Sequence, residues 1–359
     1  MTTFQFSELQ KKNIKNKMKK GKRIQLTKKI CKWYFNKLIG KRTPIIAGFL
    51  LTSSSDRSNV HIYYGKSKGN YFNIAKESKK SRMNFVEFKS IIDSISPHVF
   101  YIYFSGKNLF SLRNLPVYLK YAKKKGIPFM HIISYSTSLL TDDKIKTIRD
   151  YADEISLNFD AADNGKTIRP QTAFKKLVFN VEKIKKNCSA KISIYVAFNH
   201  KYLDYYYKLA DYAKKNNCHA QLQISNMYQG FKYRDSGHIE ASNKLRKFVH
   251  YLKTQKNILN GNEYLDLIVP HSDSNNLTCV NKNHCNLPKY GIEFSSIGQI
   301  TPCMNGTGLR TIPITKNVIF TMNSFKYDLI LKKLKKCDFS RDAACAFNEE
   351  PSLFFKFLI

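Results

Sequence analysis

Residues 172–224 read TAFKKLVFNVEKIKKNCSAKISIYVAFNHKYLDYYYKLADYAKKNNCHAQLQI, and this stretch decides the fold class. Over 172–186 apolar residues recur at three- and four-residue spacing, the pattern of an amphipathic helix. Over 191–198 (KISIYVAF) a short run is dominated by β-branched and aromatic residues, the pattern of a strand. Helical spacing returns over 203–215, and 219–224 (HAQLQI) reads as a second strand. Strands alternating with helices of this length predict right-handed βαβ units and a parallel sheet.

The alternation extends back to residue 43. A buried strand is predicted over 45–52 (IIAGFLLT), a helix over 84–95 (NFVEFKSIIDSI) and a strand over 98–104 (HVFYIYF). A helix over 112–125 is closed by Gly126 in the C′ position. A strand follows over 128–134, then a helix over 141–151 with Thr141 as N-cap and Asp142 and Asp143 in its first turn, where acids favour the dipole. A strand over 154–159 completes a set of six. No Gly-x-Gly-x-x-Gly follows the first strand, which argues against a dinucleotide fold. The expected class is α/β, a partial (β/α)6 TIM-like barrel. Chemistry in such barrels sits at the C-terminal ends of the strands.

Beyond the six units a helix over 244–256 and a strand over 265–270 are predicted. Five of the eight cysteines then crowd into the tail: Cys279, Cys285, Cys303, Cys337 and Cys345. The expected organisation is a basic extension over 1–42, a barrel over 43–270 and a small cysteine-rich domain over 271–359.

The 359 residues carry 61 Lys+Arg against 26 Asp+Glu, a net charge of +35. With 43% hydrophobic and 13% aromatic residues the chain can bury a core, which excludes a disordered basic protein. No apolar run reaches the roughly 18 residues of a membrane helix. The expected location is the cytoplasm, where cysteines serve as thiols or metal ligands rather than disulfides. Residues 1–44 hold fourteen Lys/Arg and a single acid, Glu8. Such an arm suits nucleic acid or an anionic membrane surface, and equally a solvated helix in a lysine-rich chain. Its end, KKICKWYFNKL (28–38), places Trp33, Tyr34 and Phe35 where they are expected to pack back and cover the barrel's base. The sequence holds no Gly-x-Ser-x-Gly, Walker loop or His-Glu-x-x-His. His61, His131 and His200 fall near strand ends and are placed at the barrel mouth. Cys31, Cys188 and Cys218 are isolated, and Cys218 is expected to be a core thiol.

The order of motifs resembles the radical S-adenosylmethionine family. Phe104-Ser105-Gly106 stands where that family has Ser-Gly-Gly-Glu-Pro. Ser138-Leu139-Leu140 resembles Thr-Asn-Gly-x-Leu-Leu, and 155–160 (ISLNFD) resembles Ser-Leu-Asp. Arg169 and the helix after Phe174 are similar to Arg-Gly-x-x-Phe-x-x-Val-x-x-Asn-Ile, and Asn199 ends the fifth strand as in the family. The resemblance covers about residues 43–226. It implies Ser105, Gly106, Asn158, Arg169 and Asn199 as cofactor-binding positions.

The family's Cys-x-x-x-Cys-x-x-Cys loop is replaced by Ser54, Ser58 and His61. Thiolate is the ligand that iron–sulfur clusters select, and serine hydroxyl is a poor substitute. Ser105-Gly106 continues into Lys107-Asn108 rather than Gly-Glu, so a cation faces the place of the cofactor's ammonium. The resemblance is therefore to a degenerate member in which S-adenosylmethionine binding is in doubt.

The tail resembles the SPASM/twitch auxiliary-cluster domain, whose pattern is Cys-x(9–15)-Gly-x4-Cys. Cys285 is followed by Gly298 and Cys303, and 298–303 (GQITPC) is similar to the family's Gly-x-Ile-x-Pro-Cys. A hairpin is expected between 291–294 and 299–300, turning over 295–298. A helix over 324–336 precedes Cys337. Four thiolates from Cys285, Cys303, Cys337 and Cys345 would suit one auxiliary 4Fe-4S cluster. They would also suit tetrahedral zinc or remain free thiols, with Cys279 as a substitute ligand. The expected function is non-radical: a pseudoenzyme binding a peptide, protein or small ligand, as the partner of a peptide- or protein-maturation enzyme. The alternatives are an active radical enzyme with unusual cluster ligation and a nucleic-acid-binding protein acting through residues 1–44.

Overall fold

The computed structural model describes residues 20–52, 82–106, 109–134, 138–159, 162–163, 166–167, 170–197, 203–223, 238–259, 265, 291–301 and 312–334. The order is α1 (Lys20–Leu38), β1 (Ile46–Thr52), α2 (Phe85–Ile95), β2 (Tyr101–Gly106), α3 (Leu115–Lys124), β3 (Phe129–Ser134), α4 (Asp142–Tyr151) and β4 (Glu154–Phe159). A small ribbon follows, β5 (Ala162–Asp163) and β6 (Lys166–Thr167), then α5 (Pro170–Asn187), β7 (Lys191–Ala197), α6 (Leu203–Lys215), β8 (His219–Gln223) and α7 (His238–Thr254). The last described elements are β9 (Gly291–Phe294), β10 (Ile300–Thr301), α8 (Val318–Met322) and α9 (Phe325–Leu334).

One sheet holds the strands in the order β10-β9-β1-β2-β3-β4-β7-β8. The six predicted strands run parallel in sequence order, and β9 adds a seventh parallel strand beside β1. Helices between successive strands cover one face, giving a partial TIM-like barrel. The expected hairpin is present: β9 and β10 pair antiparallel, and Gly298 in its turn has φ +76°. Its joining the barrel sheet was not read from the sequence. The start of β9 and the end of β10 both lie at the barrel's base, because β9 runs parallel to β1 and β10 returns.

Local chemistry sets the helix ends. Asn84 Oδ1 accepts from Glu87 N at 2.8 Å and the Glu87 carboxylate faces Asn84 N, a capping box at the start of α2. Thr141 precedes α4 in extended backbone but makes no side-chain cap hydrogen bond. The strand predicted over 265–270 is corrected at its first residue. Leu265 is helical, and the place beside β8 is taken by Ile258, which bridges Ala220 in parallel. Residues 266–270 and the boundary at 271 lie outside the described residues.

The main core lies between sheet and helices: Phe49, Phe88, Ile102, Phe104, Ile132, Ile155, Leu177 and their neighbours. A second cluster closes the base, with Leu26, Ile30 and Trp33 of α1 against Ile45, Ile46, Phe100, Tyr101 and Phe129. Trp33 packs as expected and Tyr34 lies beside it, but Phe35 is 61% exposed on the opposite side of the helix. Polar contacts fasten α1 as well: Lys22 Nζ lies 2.8 Å from Asp153 Oδ1, and Lys29 Nζ donates to Ser96 O. Burial, then neighbouring Lys32, pushes the Lys29 ammonium down to about 8. The C-terminal helices anchor to the link between α1 and β1, where Arg42 pairs with Asp328 at 2.6 Å.

Candidate functional site: the polar barrel interior

Successive side chains of a strand point to opposite faces. Here EISLNF of β4 and KISIY of β7 alternate polar and apolar, so the apolar set meets the helices and the polar set lines the interior. Tyr101, His131, Glu154, Ser156, Asn158 and Ser193 all belong to the interior set, and all but Asn158 hydrogen-bond across neighbouring strands.

At the base Tyr101 Oη lies 2.6 Å from His131 Nδ1, and His131 Nε2 lies 2.8 Å from Ser156 Oγ. Burial lowers the His131 pKa, with Glu154 opposing, so the ring stays neutral at pH 7. A neutral imidazole donates at one nitrogen and accepts at the other, so both neighbours are satisfied. Burial and then Glu154 hold the Tyr101 phenol well above its ordinary range. Glu154 Oε1 accepts from Ser193 Oγ at 2.5 Å. His219 at the start of β8 is buried, and that burial lowers its pKa against the pull of Glu154. On the other side Tyr103 Oη donates to Glu293 of β9. His131, expected at the mouth, is the third residue of β3 and lies in this basal layer.

Nearer the mouth the structure describes three of the expected cofactor-binding residues. Ser105 is buried, and its Oγ donates to Phe49 O at 3.4 Å. Gly106 ends β2 opposite Thr52 with φ +152°, and a Cβ there would meet Thr52 Oγ1 at 2.5 Å. Only glycine allows the two strand ends to approach this closely. Asn158 is 3% exposed, and its Oδ1 has no hydrogen-bond partner among the described residues. A buried amide oxygen of this kind is costly unless something donates to it, which makes Asn158 a candidate ligand contact on the described interior face. Arg169, Asn199, His200, Ser54, Ser58, His61, Lys107 and Asn108 lie outside the described residues, as do Cys279, Cys285, Cys303, Cys337 and Cys345.

The described cysteines behave as expected of isolated thiols. Cys218 is buried immediately before β8, and burial pushes its thiol up to about 11. Cys188 is half-buried and Cys31 exposed. Among the described residues no group of three or more His, Cys, Asp or Glu could hold a metal ion.

This architecture has solved counterparts. Native anSMEcpe with bound AdoMet superposes over 88% of this chain and 96% of that chain, with a TM-score of 0.54 and 15% identity. This chain shares the fold of that protein, a parallel α/β sheet in a partial TIM-like barrel. The crystal structure of Streptococcus suis SuiB matches at 12% identity over 80% of this chain and 66% of that chain, TM-score 0.47. BtrN in complex with AdoMet and 2-DOIA matches at 13% identity over 84% of this chain and 93% of that chain, TM-score 0.43. These two overlaps are too loose to carry an argument. No protein-family profile matches the sequence, and no curated protein matches as a relative.

The connections after the first four strands do not supply the thiolates that a four-iron cluster takes. The sequence holds no cysteine between Cys31 and Cys188, so the connections after β1, β2, β3 and β4 offer hydroxyls, amides and, in His61, one imidazole near a strand end, but no thiolate. Hard oxygen donors and a single imidazole at 54–61 do not replace three thiolates. No described helix is long and apolar enough to cross a membrane.

Proposed function

We propose that this chain is a degenerate radical S-adenosylmethionine protein that performs no radical chemistry. It binds a peptide, protein or small polar ligand at its barrel mouth, as the partner of a peptide- or protein-maturation enzyme. The observation that carries the reading is a barrel of this fold with no cysteine from residue 32 to 187. Without thiolates after the first four strands no cluster is held there to supply an electron, and what remains is a polar surface at the strand ends. In that surface the Asn158 Oδ1 accepts a hydrogen bond from the ligand, while the Tyr101–His131–Ser156 chain beneath holds three adjacent strands in register. The test is 5′-deoxyadenosine formation with dithionite after cluster reconstitution. Product above the rate of a Ser54→Ala/Ser58→Ala control overturns the reading.

We propose further that Cys285, Cys303, Cys337 and Cys345, with Cys279 in reserve, hold one auxiliary 4Fe-4S cluster. The support is the hairpin, which sends the chain leading to Cys285 and the chain leading to Cys303 from the same end of β9 and β10. Such a cluster would contribute to folding rather than to chemistry at the mouth. Iron, sulfide and zinc per chain in anaerobically purified protein decide it. About four irons support the cluster, zinc alone replaces it, and no metal leaves free thiols.

A further inference from the structure

Helix α1 has two apolar faces and the fold uses only one. Leu26, Ile30 and Trp33 press against the barrel base. At 3.6 residues per turn Ile24, Phe35 and Leu38 fall on the opposite side. They are 51%, 61% and 84% exposed, and Ile39, just past the helix, is 59% exposed. From residue 24 to 38 this ridge runs about 21 Å along the helix axis. It is convex, with each side chain standing mostly in solvent, so it suits insertion rather than reception. Exposed Lys28 and Lys32 flank it. The helix carries no acid, and none occurs between Glu8 and Asp56.

Charge selects the occupant. A second copy would bring the same lysines against this face. Residues 1–19, with five lysines and one glutamate, would also be repelled. A nucleic acid would use the lysines and leave Leu38 and Ile39 in water. A lipid bilayer with anionic headgroups satisfies both, since phosphates meet the lysines and the acyl boundary receives the apolar ridge. We propose that the outward face of α1 docks on an anionic membrane surface, with Ile24, Phe35, Leu38 and Ile39 inserted and Lys28 and Lys32 on the headgroups. Because α1 covers the barrel's base, docking turns the base to the membrane and leaves the mouth open to solvent. This rests on neither the barrel ligand nor the tail metal.

The experiment is co-sedimentation of the full-length chain with phosphatidylcholine–phosphatidylserine vesicles and with pure phosphatidylcholine vesicles, at low and high salt. Sedimentation is expected only with the anionic vesicles and should weaken as salt rises. Phe35→Glu/Leu38→Glu should reduce partitioning at least about tenfold with an unchanged melting temperature, because both side chains are exposed. Lys28→Gln/Lys32→Gln should reduce it about fivefold per lysine removed. Equal partitioning into the two vesicle types overturns the proposal. So does full retention by the Phe35/Leu38 variant, which would mean adsorption by charge alone. Binding of a single-stranded RNA oligomer that the same variant weakens, without vesicle binding, assigns the face to nucleic acid and overturns it too.

Discussion

The Tyr103 ring lies across Gly48. The two residues are register partners in β2 and β1, and a Cβ on Gly48 would meet the Tyr103 ring at 2.2 Å. The missing side chain lets the phenol cross β1 and reach Glu293 on β9. The hairpin is thus tied to the barrel by a side chain as well as by the β1–β9 ladder.

Gly48→Ala forces the ring aside and releases Glu293. The expected cost is about 1–3 kcal/mol, the range of overpacked sites. Tyr103→Phe keeps the ring and removes only the hydrogen bond, so about 1 kcal/mol is expected. Chemical denaturation of both variants checks the order. A Gly48→Ala midpoint equal to that of the parent chain would show that the crossing is not needed.

Asn158→Leu should separate stability from binding. The change removes a buried oxygen without a partner and keeps a similar volume, so the folded state should gain about 1 kcal/mol or stay level. Ligand binding at the mouth should fall. A loss of 2 kcal/mol or more in stability would mean that the oxygen is satisfied within the chain.

Acid should destabilise the fold in a defined window. His98, His131 and His219 all have folded pKa values below the ordinary 6.5, and in each burial is the leading cause. Below 6.5 the unfolded chain therefore binds more protons than the folded one, and stability falls with pH. For His98 the loss extends down through its folded value of about 4, and below that both states are protonated. Denaturant midpoints between pH 7 and 4.5 measure it. His131→Gln should flatten the slope, and an unchanged slope in that variant would show that His131 is not among the titrating groups.

Removing residues before Thr43 should lower the melting temperature, since Leu26, Ile30 and Trp33 would leave the base cluster. Trp33→Ala alone should cost about 3–5 kcal/mol, in line with other buried aromatics. Trp33 is the sole tryptophan, so its emission reports directly on whether α1 is docked. A red-shifted, solvent-like emission in the native parent chain would contradict the packing.

What the sequence by itself determined is what local periodicity encodes. The six parallel strands and the helices between them were legible because a helix repeats every 3.6 residues and a strand every two. The turn at Gly298 was legible because of its spacing between two short β-like runs, and the absence of thiols from residue 32 to 187 needs no structure at all. The tertiary structure decided everything that joins distant segments. Nothing in GIEF names Ile46 and Ala47 as its ladder partners, because backbone pairing between remote strands leaves no mark in either one. The same holds for His131: the sequence placed it near a strand end, but only the register of β2, β3 and β4 brings Tyr101 and Ser156 to its two nitrogens. The alternation in EISLNF announced a polar face, and closure of the sheet decided that this face is the barrel's interior. There each buried polar atom needs a partner, and Asn158 Oδ1 finds none among the described residues.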